Sequence, residues 1–533
     1  MPAPNMTSQA TRAGLLAGNT LWSLAGFAVP TLVALVSTPL YLSYLGDRTF
    51  GLWTLCIAIL AFTGILNLSL GEATTALVAG ARGGGDAAVP PGLALTRIVT
   101  SASLVFTVLA LLATLIMVVL AEPIAVHLLK LRGDEAELAV RALRLVSIGV
   151  LPTVLFTVAS GVFEGLNRFR ASQLLVMGRA VTALIVGWLA LAIGSGFIGL
   201  VVATVAVTWA TAIVGLVSVA RELQPVKWDQ LDFLPTSRRL LGFGMYSSVT
   251  SAGTLAIGQL DKLVVGSVLG LEAVASYALA QALASKVHQV AIAAGRVLMP
   301  HFASGDRNDD ARQFPTAWRA SLLFSAGVVT LAAAVGPVFL PAWVGAARAE
   351  AASGIFAWLL AAYGLHALNV VPYYYLTGRS RPDVVAAATL VGGGSMLVLL
   401  LILTPHWHLH GAGLAALCYP LGCLVLAWKA AELANGGASP GPVLRGMLPG
   451  LPSLLGVHAL IGLAGIATGA VALRLGVGAW VGTVLSLGVA GAGIVVGHRA
   501  FAGRDAPYFG ASEALFARLL RRPRPGSAAR GQT

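Results

Sequence analysis

NTLWSLAGFAVPTLVALVSTPLYLSYLGDRTFGLWTLCIAIL, residues 19–60, decides the fold class. Two apolar stretches flank one short polar interruption, Gly46-Asp47-Arg48. The first stretch, from about Leu15 to Leu42, exceeds the ~20 residues a bilayer-spanning helix needs and is longer than a signal-peptide core. It reads as a first membrane span with no cleavable signal ahead of it, and the second stretch reads as its return. In lipid the backbone must satisfy its own hydrogen bonds within a segment, so helices are the expected element.

Outward from this hairpin the same alternation runs the length of the chain, and about 14 spans are expected. Hydrophobic residues make up 57% of the 533 and charged residues 10%, with a mean hydropathy of +0.85. A soluble domain carries about 25% charge. The net charge of +13 does not indicate a nucleic-acid partner, because the basic residues sit in short loops between apolar runs rather than in one patch. Cys56, Cys418 and Cys423 all fall inside apolar runs, which argues against a disulfide framework.

An even number of spans places both ends on one side. The two tails and the loops near 82, 168, 230, 310, 380 and 438 hold about 23 Lys and Arg, against about 7 on the opposite side, so both termini are expected in the cytoplasm. The expected organisation is a six-helix lobe at 15–220, a cytoplasmic linker at 221–239, a second six-helix lobe at 240–432, two additional helices at 447–500 and a basic tail at 501–533. Within the tail, SEALFARLLRR at 512–522 suits anionic lipid headgroups, or serves only as a solvated topology anchor. The two lobes resemble each other. LGDRTFGLW at 45–53 aligns with LGLEAVASY at 269–277, setting Gly46 over Gly270 and Trp53 over Tyr277. GFIGLVVA at 196–203 aligns with HGAGLAAL at 410–417, and Arg168 and Arg170 align with Arg379 and Arg381. Transporters are often built from such repeats, with the substrate site between them.

Two motifs invite functional readings and support neither. GSGFIG at 194–199 has the glycine spacing of a dinucleotide loop but joins two apolar spans and follows no strand, so it is expected to be a tight turn. HWHLH at 406–410 lies in a short loop with no nearby carboxylate, which makes a metal site a poor reading. No Ser/His/Asp or Cys/His set is placed for catalysis. An enzyme is not expected, nor is a cofactor or a resident metal.

The informative residues are polar ones inside spans. On the seventh span, 240–268, Ser247, Ser248, Ser251, Thr254, Gly258, Gln259, Asp261 and Lys262 share an arc of about 160°. On the eighth, Gln281, Ser285, Lys286, His288, Gln289 and Arg296 do the same over about 160°. The tenth span aligns Tyr363, His366, Asn369, Tyr373 and Thr377, and the first aligns Asn19, Ser23, Gly26, Pro30 and Ser37. A lysine at the bilayer centre costs at least about 2.5–3.5 kcal/mol, so such arcs are expected to face water or one another around a polar central cavity. Lys262 and Arg296 lie near span ends and could instead snorkel to the headgroups; Arg179 could do so less easily, and Lys286, near mid-span, could not. The candidate substrate contacts are therefore Lys286, Arg296, Lys262 and Arg179, with Gln289, Gln259 and Gln281. Asp261 is a candidate for ion coupling, with a structural role toward another helix as the blander alternative.

The hairpin at 19–60 and the segment GQLDKLVVGSVLGLEAVASYALAQALASKVHQ at 258–289 resemble bacterial polysaccharide-export flippases. The inner loops GLNRFR at 165–170 and TGRSRP at 377–382 fit the same pattern. The resemblance covers about residues 15–435 and implies the multidrug/oligosaccharidyl-lipid/polysaccharide exporter fold. It further implies flipping of a polyprenyl-pyrophosphate-linked oligosaccharide across a bacterial inner membrane, with a polysaccharide polymerase and glycosyltransferases as functional partners. Arginine and lysine suit a pyrophosphate, and four intramembrane cations against one clear acid favour an anionic substrate. A multidrug cation antiporter would want the reverse balance. A lipid-II flippase shares the headgroup chemistry and stays open. A membrane glycan polymerase or acyltransferase would need a large outer loop or a reactive histidine set, and neither is present.

Overall fold

A computed structural model describes residues 6–62, 64–82, 90–224, 232–295, 302, 310–379, 381–447, 451–476 and 478–502. Among the described residues every regular element is helical. The opening stretch is α1 (Met6–Phe62), which turns back on itself at Gly46 (φ 71°, ψ 171°), a conformation that in practice only glycine adopts. The reversal brings Tyr41 and Trp53 edge to face with ring centroids 6.3 Å apart; straight helix would carry these positions about 18 Å apart. Past the turn, α2 (Gly64–Arg82) prolongs the returning span. Gly270, between α8 (Phe233–Leu269) and α9 (Leu271–Gly295), takes nearly the same conformation (φ 88°, ψ 178°). The two glycines aligned by the internal similarity thus make the same turn.

Between these hairpins lie α3 (Pro91–Pro123), a π turn at Ile124–Leu128, α4 (Asp134–Ile148), α5 (Val150–Gly165), α6 (Phe169–Ala192) and α7 (Gly196–Ala220). The GSGFIG segment joins α6 to α7, with Gly194 and Gly196 at φ 79° and 63°; it is the tight turn expected. After α9 follow α10 (Asp310–Val344), α11 (Ala346–Ala367), α12 (Val370–Gly378), α13 (Pro382–Ala416), α14 (Cys418–Gly422), α15 (Leu424–Ala434), α16 (Gly441–Met447), α17 (Leu451–Arg474) and α18 (Ala479–Ala502). The HWHLH segment is a second reversal, with Trp407 and His408 outside helical geometry. It folds the start of α13 back on α14 and α15, so that Gly392 lies against Gly422.

Among the described residues, ten continuous segments are long and apolar enough to cross a membrane. Two of them, Ala25–Ala61 and Pro382–Ala434, contain the reversals at Gly46 and at Trp407–His408 and so cross twice. The long helices α8 and α9 are not among these segments. Large apolar side chains such as Leu115, Val119, Val391, Leu460 and Val484 are exposed along these helices, as a lipid-facing surface requires.

By mutual packing the chain forms two compact units, Met1–Ala278 and Leu279–Thr533. In the first, α2 and α5 approach closely through Gly71, Gly161 and Gly165, the small-residue packing of membrane helices, and Phe106, Val154 and Val162 fill the core beside them. Helix α8 lies on α1 and α2. The two glycine hairpins meet here: a Cβ on Gly51 would collide with the Leu271 carbonyl. Arg48 ion-pairs with Glu135 and stands 3.9 Å from Glu272. In the second unit, Phe302, Phe314, Trp318 and Tyr375 centre the core, and α17 and α18 dock on α10 through contacts such as Gly465 with Ala334 and Gly469 with Val338.

Candidate functional site

The first unit carries an open cavity of about 760 Å³ walled by α1, α5, α6, α7 and α8. Its cations are Arg179 on α6 and Lys262 on α8, with Gln259 beside them, and no acidic side chain lines it among the described residues. Arg179 lies 5.0 Å from the centroid of the Phe156 ring, a cation–π contact that orients the guanidinium without neutralising it. No carboxylate lies within ion-pair distance of it among the described residues. The Lys262 Nζ donates to Gln259 Oε1 at 3.0 Å and to the Gly258 carbonyl at 3.2 Å.

Asp261 is the next residue but points elsewhere. Consecutive helical residues are turned about 100° apart, and the Asp261 carboxylate accepts the Tyr277 hydroxyl at 2.8 Å, with 2% of the residue exposed. Its distance to Lys262 Nζ is 3.9 Å. The carboxylate thus ties α8 to α9.

Hydroxyls complete the wall. Thr38 donates to the Ala34 carbonyl at 2.7 Å, Thr204 to Leu200 at 2.9 Å and Thr208 to Thr204 at 2.8 Å. Each spends its proton on its own helix, so the oxygen presents lone pairs as an acceptor. Tyr41 and Trp53, held against each other, add aromatic surface. The cavity therefore offers fixed positive charge, acceptors suited to hydroxyl-rich ligands, and aromatic faces.

Arg179, Lys262 and Gln259, singled out from the sequence, share this one cavity. Lys286, Gln289 and Gln281 belong to the second unit. There Lys286 Nζ donates to Gln289 Oε1 at 3.1 Å, and Gln281 Nε2 donates to the Tyr363 hydroxyl at 3.1 Å. Arg296 lies outside the described residues, as do the side chains of Ser247, Ser248, Ser251 and Thr254. Thr38, Tyr41, Trp53, Thr204, Thr208 and Phe156 line the cavity without having been singled out as site residues. Thr204 and Thr208, one turn apart in an otherwise apolar span, carried a legible signal; Phe156 carried none.

A multi-pass helical bundle, with a cavity whose Arg179 meets no carboxylate among the described residues, defines a polytopic membrane protein. The sequence matches the family described as "Polysaccharide biosynthesis protein" over residues 16–305, and the chain belongs to that family. A Shigella flexneri protein named "Putative O-antigen transporter" is 21% identical over 413 residues, covering 77% of this chain and 96% of the relative. Among solved structures, lipid II flippase MurJ in an inward closed conformation superposes with a TM-score of 0.66 at 13% identity, over 94% of this chain and 100% of its own. An inward-facing multidrug resistance MATE family transporter of the MOP superfamily superposes with a TM-score of 0.57 at 14% identity, over 78% of this chain and 99% of its own. At these identities the structural likeness establishes the fold.

Proposed function

We propose that the protein flips a polyprenyl-pyrophosphate-linked oligosaccharide from the inner to the outer leaflet of a bacterial inner membrane by alternating access, for a cell-surface or exported polysaccharide. The observation that carries this reading is the cavity holding Arg179 and Lys262 with no acidic side chain in its wall among the described residues. A pyrophosphate supplies the missing counter-charge, and charge-assisted hydrogen bonds to it are the strong kind. The threonine acceptors suit sugar hydroxyls, and the lipid tail stays in the bilayer. Lys286 and Gln289, in the second unit, serve the same anion at another stage of the cycle, and Arg296 and Gln281 belong to that set. The repeat supports two lobes, 15–220 and 240–432, moving about the 221–239 linker, with 447–500 added and the termini cytoplasmic. In this reading the chain is a transporter rather than an enzyme and works with glycosyltransferases and a polymerase; its match to a polysaccharide biosynthesis family supports it.

A multidrug cation antiporter shares the fold but would present acids to its substrate, and this wall presents none among the described residues. A lipid-II flippase would use the same headgroup contacts and differs in the glycan. In cells lacking the chromosomal copy, Arg179→Gln with Lys262→Gln should cut polysaccharide export while lipid-linked intermediates accumulate. Loss of one charged hydrogen bond, about 1.5–3 kcal/mol, corresponds to roughly 10- to 150-fold in affinity. Normal export by the double variant would defeat the reading. Rescue of a lipid-II export defect, without effect on the surface polysaccharide, would favour the second.

A further inference from the structure

The offset that sets Gly270 over Gly46 also sets Asp261 over Ser37 and Tyr277 over Trp53. The two hairpins share their glycine turn but differ in what joins their arms. In the second, the Tyr277 hydroxyl donates to the Asp261 carboxylate at 2.8 Å, and both residues are buried. In the first, neither group is kept. The Ser37 hydroxyl donates to the Ala34 carbonyl of its own helix at 3.2 Å. The Trp53 indole offers one N–H and no acceptor, and that N–H has no hydrogen-bond partner among the described residues. Ser37 and Trp53 both line the cavity that holds Arg179 and Lys262, whereas Asp261 and Tyr277 do not.

The Trp53 ring is braced from behind. Tyr41, 7% exposed, meets it edge to face with centroids 6.3 Å apart. The Tyr41 hydroxyl in turn donates to the Ala183 carbonyl of α6 at 3.2 Å. A Cβ at Gly187 would stand 2.5 Å from that hydroxyl oxygen, so the glycine makes room for the contact. An indole held in this way loses little freedom on meeting a ligand, and such preorganisation favours binding.

The chemistry of the two side chains selects the ligand group. The indole N–H calls for an acceptor. The Ser37 oxygen, its proton given to Ala34, calls for a donor. A hydroxyl serves both, since it accepts and donates at once. An ionised phosphate only accepts, so it suits the indole and not the serine, and an alkyl chain suits neither. The face of an aromatic ring is its negative side, which favours the C–H groups of a pyranose ring laid over it. A sugar therefore matches the first hairpin as a whole, and it would join the arms that the second hairpin joins by its own Tyr277–Asp261 bond.

We propose that Trp53 and Ser37 form a subsite for the sugar attached to the pyrophosphate, and that Trp53 determines which lipid-linked glycans are accepted. This rests on the flippase reading above. The test titrates purified full-length protein in lipid nanodiscs with polyprenyl pyrophosphate and with the same lipid bearing one neutral hexose or one acetamido hexose. Wild type should bind at least one sugar-bearing probe about five- to tenfold more tightly than the bare lipid. Trp53→Leu should erase that margin and Ser37→Ala should narrow it, each leaving affinity for the bare lipid within about twofold of wild type. Trp53→Tyr, which keeps a ring and a donor, should retain part of the margin, and Arg179→Gln should weaken all three probes. A wild type that shows no margin overturns the proposal, and so does a Trp53→Leu variant that weakens bare and sugar-bearing lipid alike or weakens neither; in each case the pyrophosphate contact stands. If wild type binds none of the three, the flippase reading falls and fluorotryptophan ¹⁹F NMR decides the subsite. Methyl glycosides of the same two sugars should then shift the Trp53 signal, identified by its loss in Trp53→Leu, and an unmoved signal overturns the subsite as well.

Discussion

Replacing Arg379 by methionine isolates the cost of stranding a buried carboxylate. Asp310 and Arg379 pair directly with 4% and 7% of their side chains exposed, and the Tyr375 hydroxyl donates to Asp310 at 2.8 Å. Methionine keeps the length of the side chain and removes the charge, so Asp310 retains the tyrosine alone. Breaking a buried pair from one side costs about 3–5 kcal/mol, which for a unit of this size lowers the melting temperature by roughly 6–10 °C. Arg168 occupies the equivalent place in the first repeat. Its pair with Glu222 keeps 53% and 29% exposure, so Arg168→Met should cost at most about 1 kcal/mol. The assay is thermal loss of the monodisperse peak of purified protein in detergent. Adding Asp310→Asn to Arg379→Met removes the stranded charge and should recover a large part of the loss. Equal shifts for the two arginines, or a double variant no more stable than Arg379→Met, would refute the argument that burial sets the difference.

Lys286→Gln should insert and fold normally yet lower polysaccharide export by about tenfold or more, as expected for loss of a charged contact worth at least ~1.4 kcal/mol, while Lys286→Arg retains part of it; normal export by the glutamine variant removes Lys286 from the pathway. Gly51→Val places a side chain where the Leu271 carbonyl stands, so thiol labelling of Glu272→Cys should rise as the two hairpins part, and unchanged labelling would mean the contact is dispensable. Cysteines placed in 122–142 or 404–411 should react with an impermeant reagent on intact cells and those in 221–239 or 501–533 should not; labelling of 221–239 reverses the assigned orientation.

The fold was legible because its determinants are local. Runs of apolar residues set the spans, and Gly46 and Gly270 were visible as matched turn residues whose φ of 71° and 88° explains why each must be glycine. The cations were legible for the same reason: a charge inside a span is conspicuous against its neighbours. What each cation meets was not legible. Phe156 is an ordinary apolar residue in sequence and becomes part of the site only because α5 brings its ring under Arg179. Asp310, near the start of α10, gave no sign that it would be buried against Arg379 and Tyr375. Such pairings depend on which helices become neighbours, and periodicity within one helix carries no record of that.

Under the proposed function, the neighbours Asp261 and Lys262 illustrate how the arrangement would favour an anion. Had they formed a tight pair, the site would carry a neutral dipole and little preference for charge. Their groups stand 3.9 Å apart instead, and each has a nearer uncharged partner: Tyr277 for the acid, Gln259 for the lysine. Hydrogen bonds to neutral groups stabilise a charge locally without cancelling its field, which in a poorly polar wall extends over several ångströms. The carboxylate is turned toward α9 and the ammonium toward the cavity, where Arg179 adds a second positive charge with no counter-ion among the described residues. A cationic ligand would face two like charges there. A ligand carrying concentrated negative charge at one end would neutralise both, and exchanging the roles of residues 261 and 262 would reverse the preference.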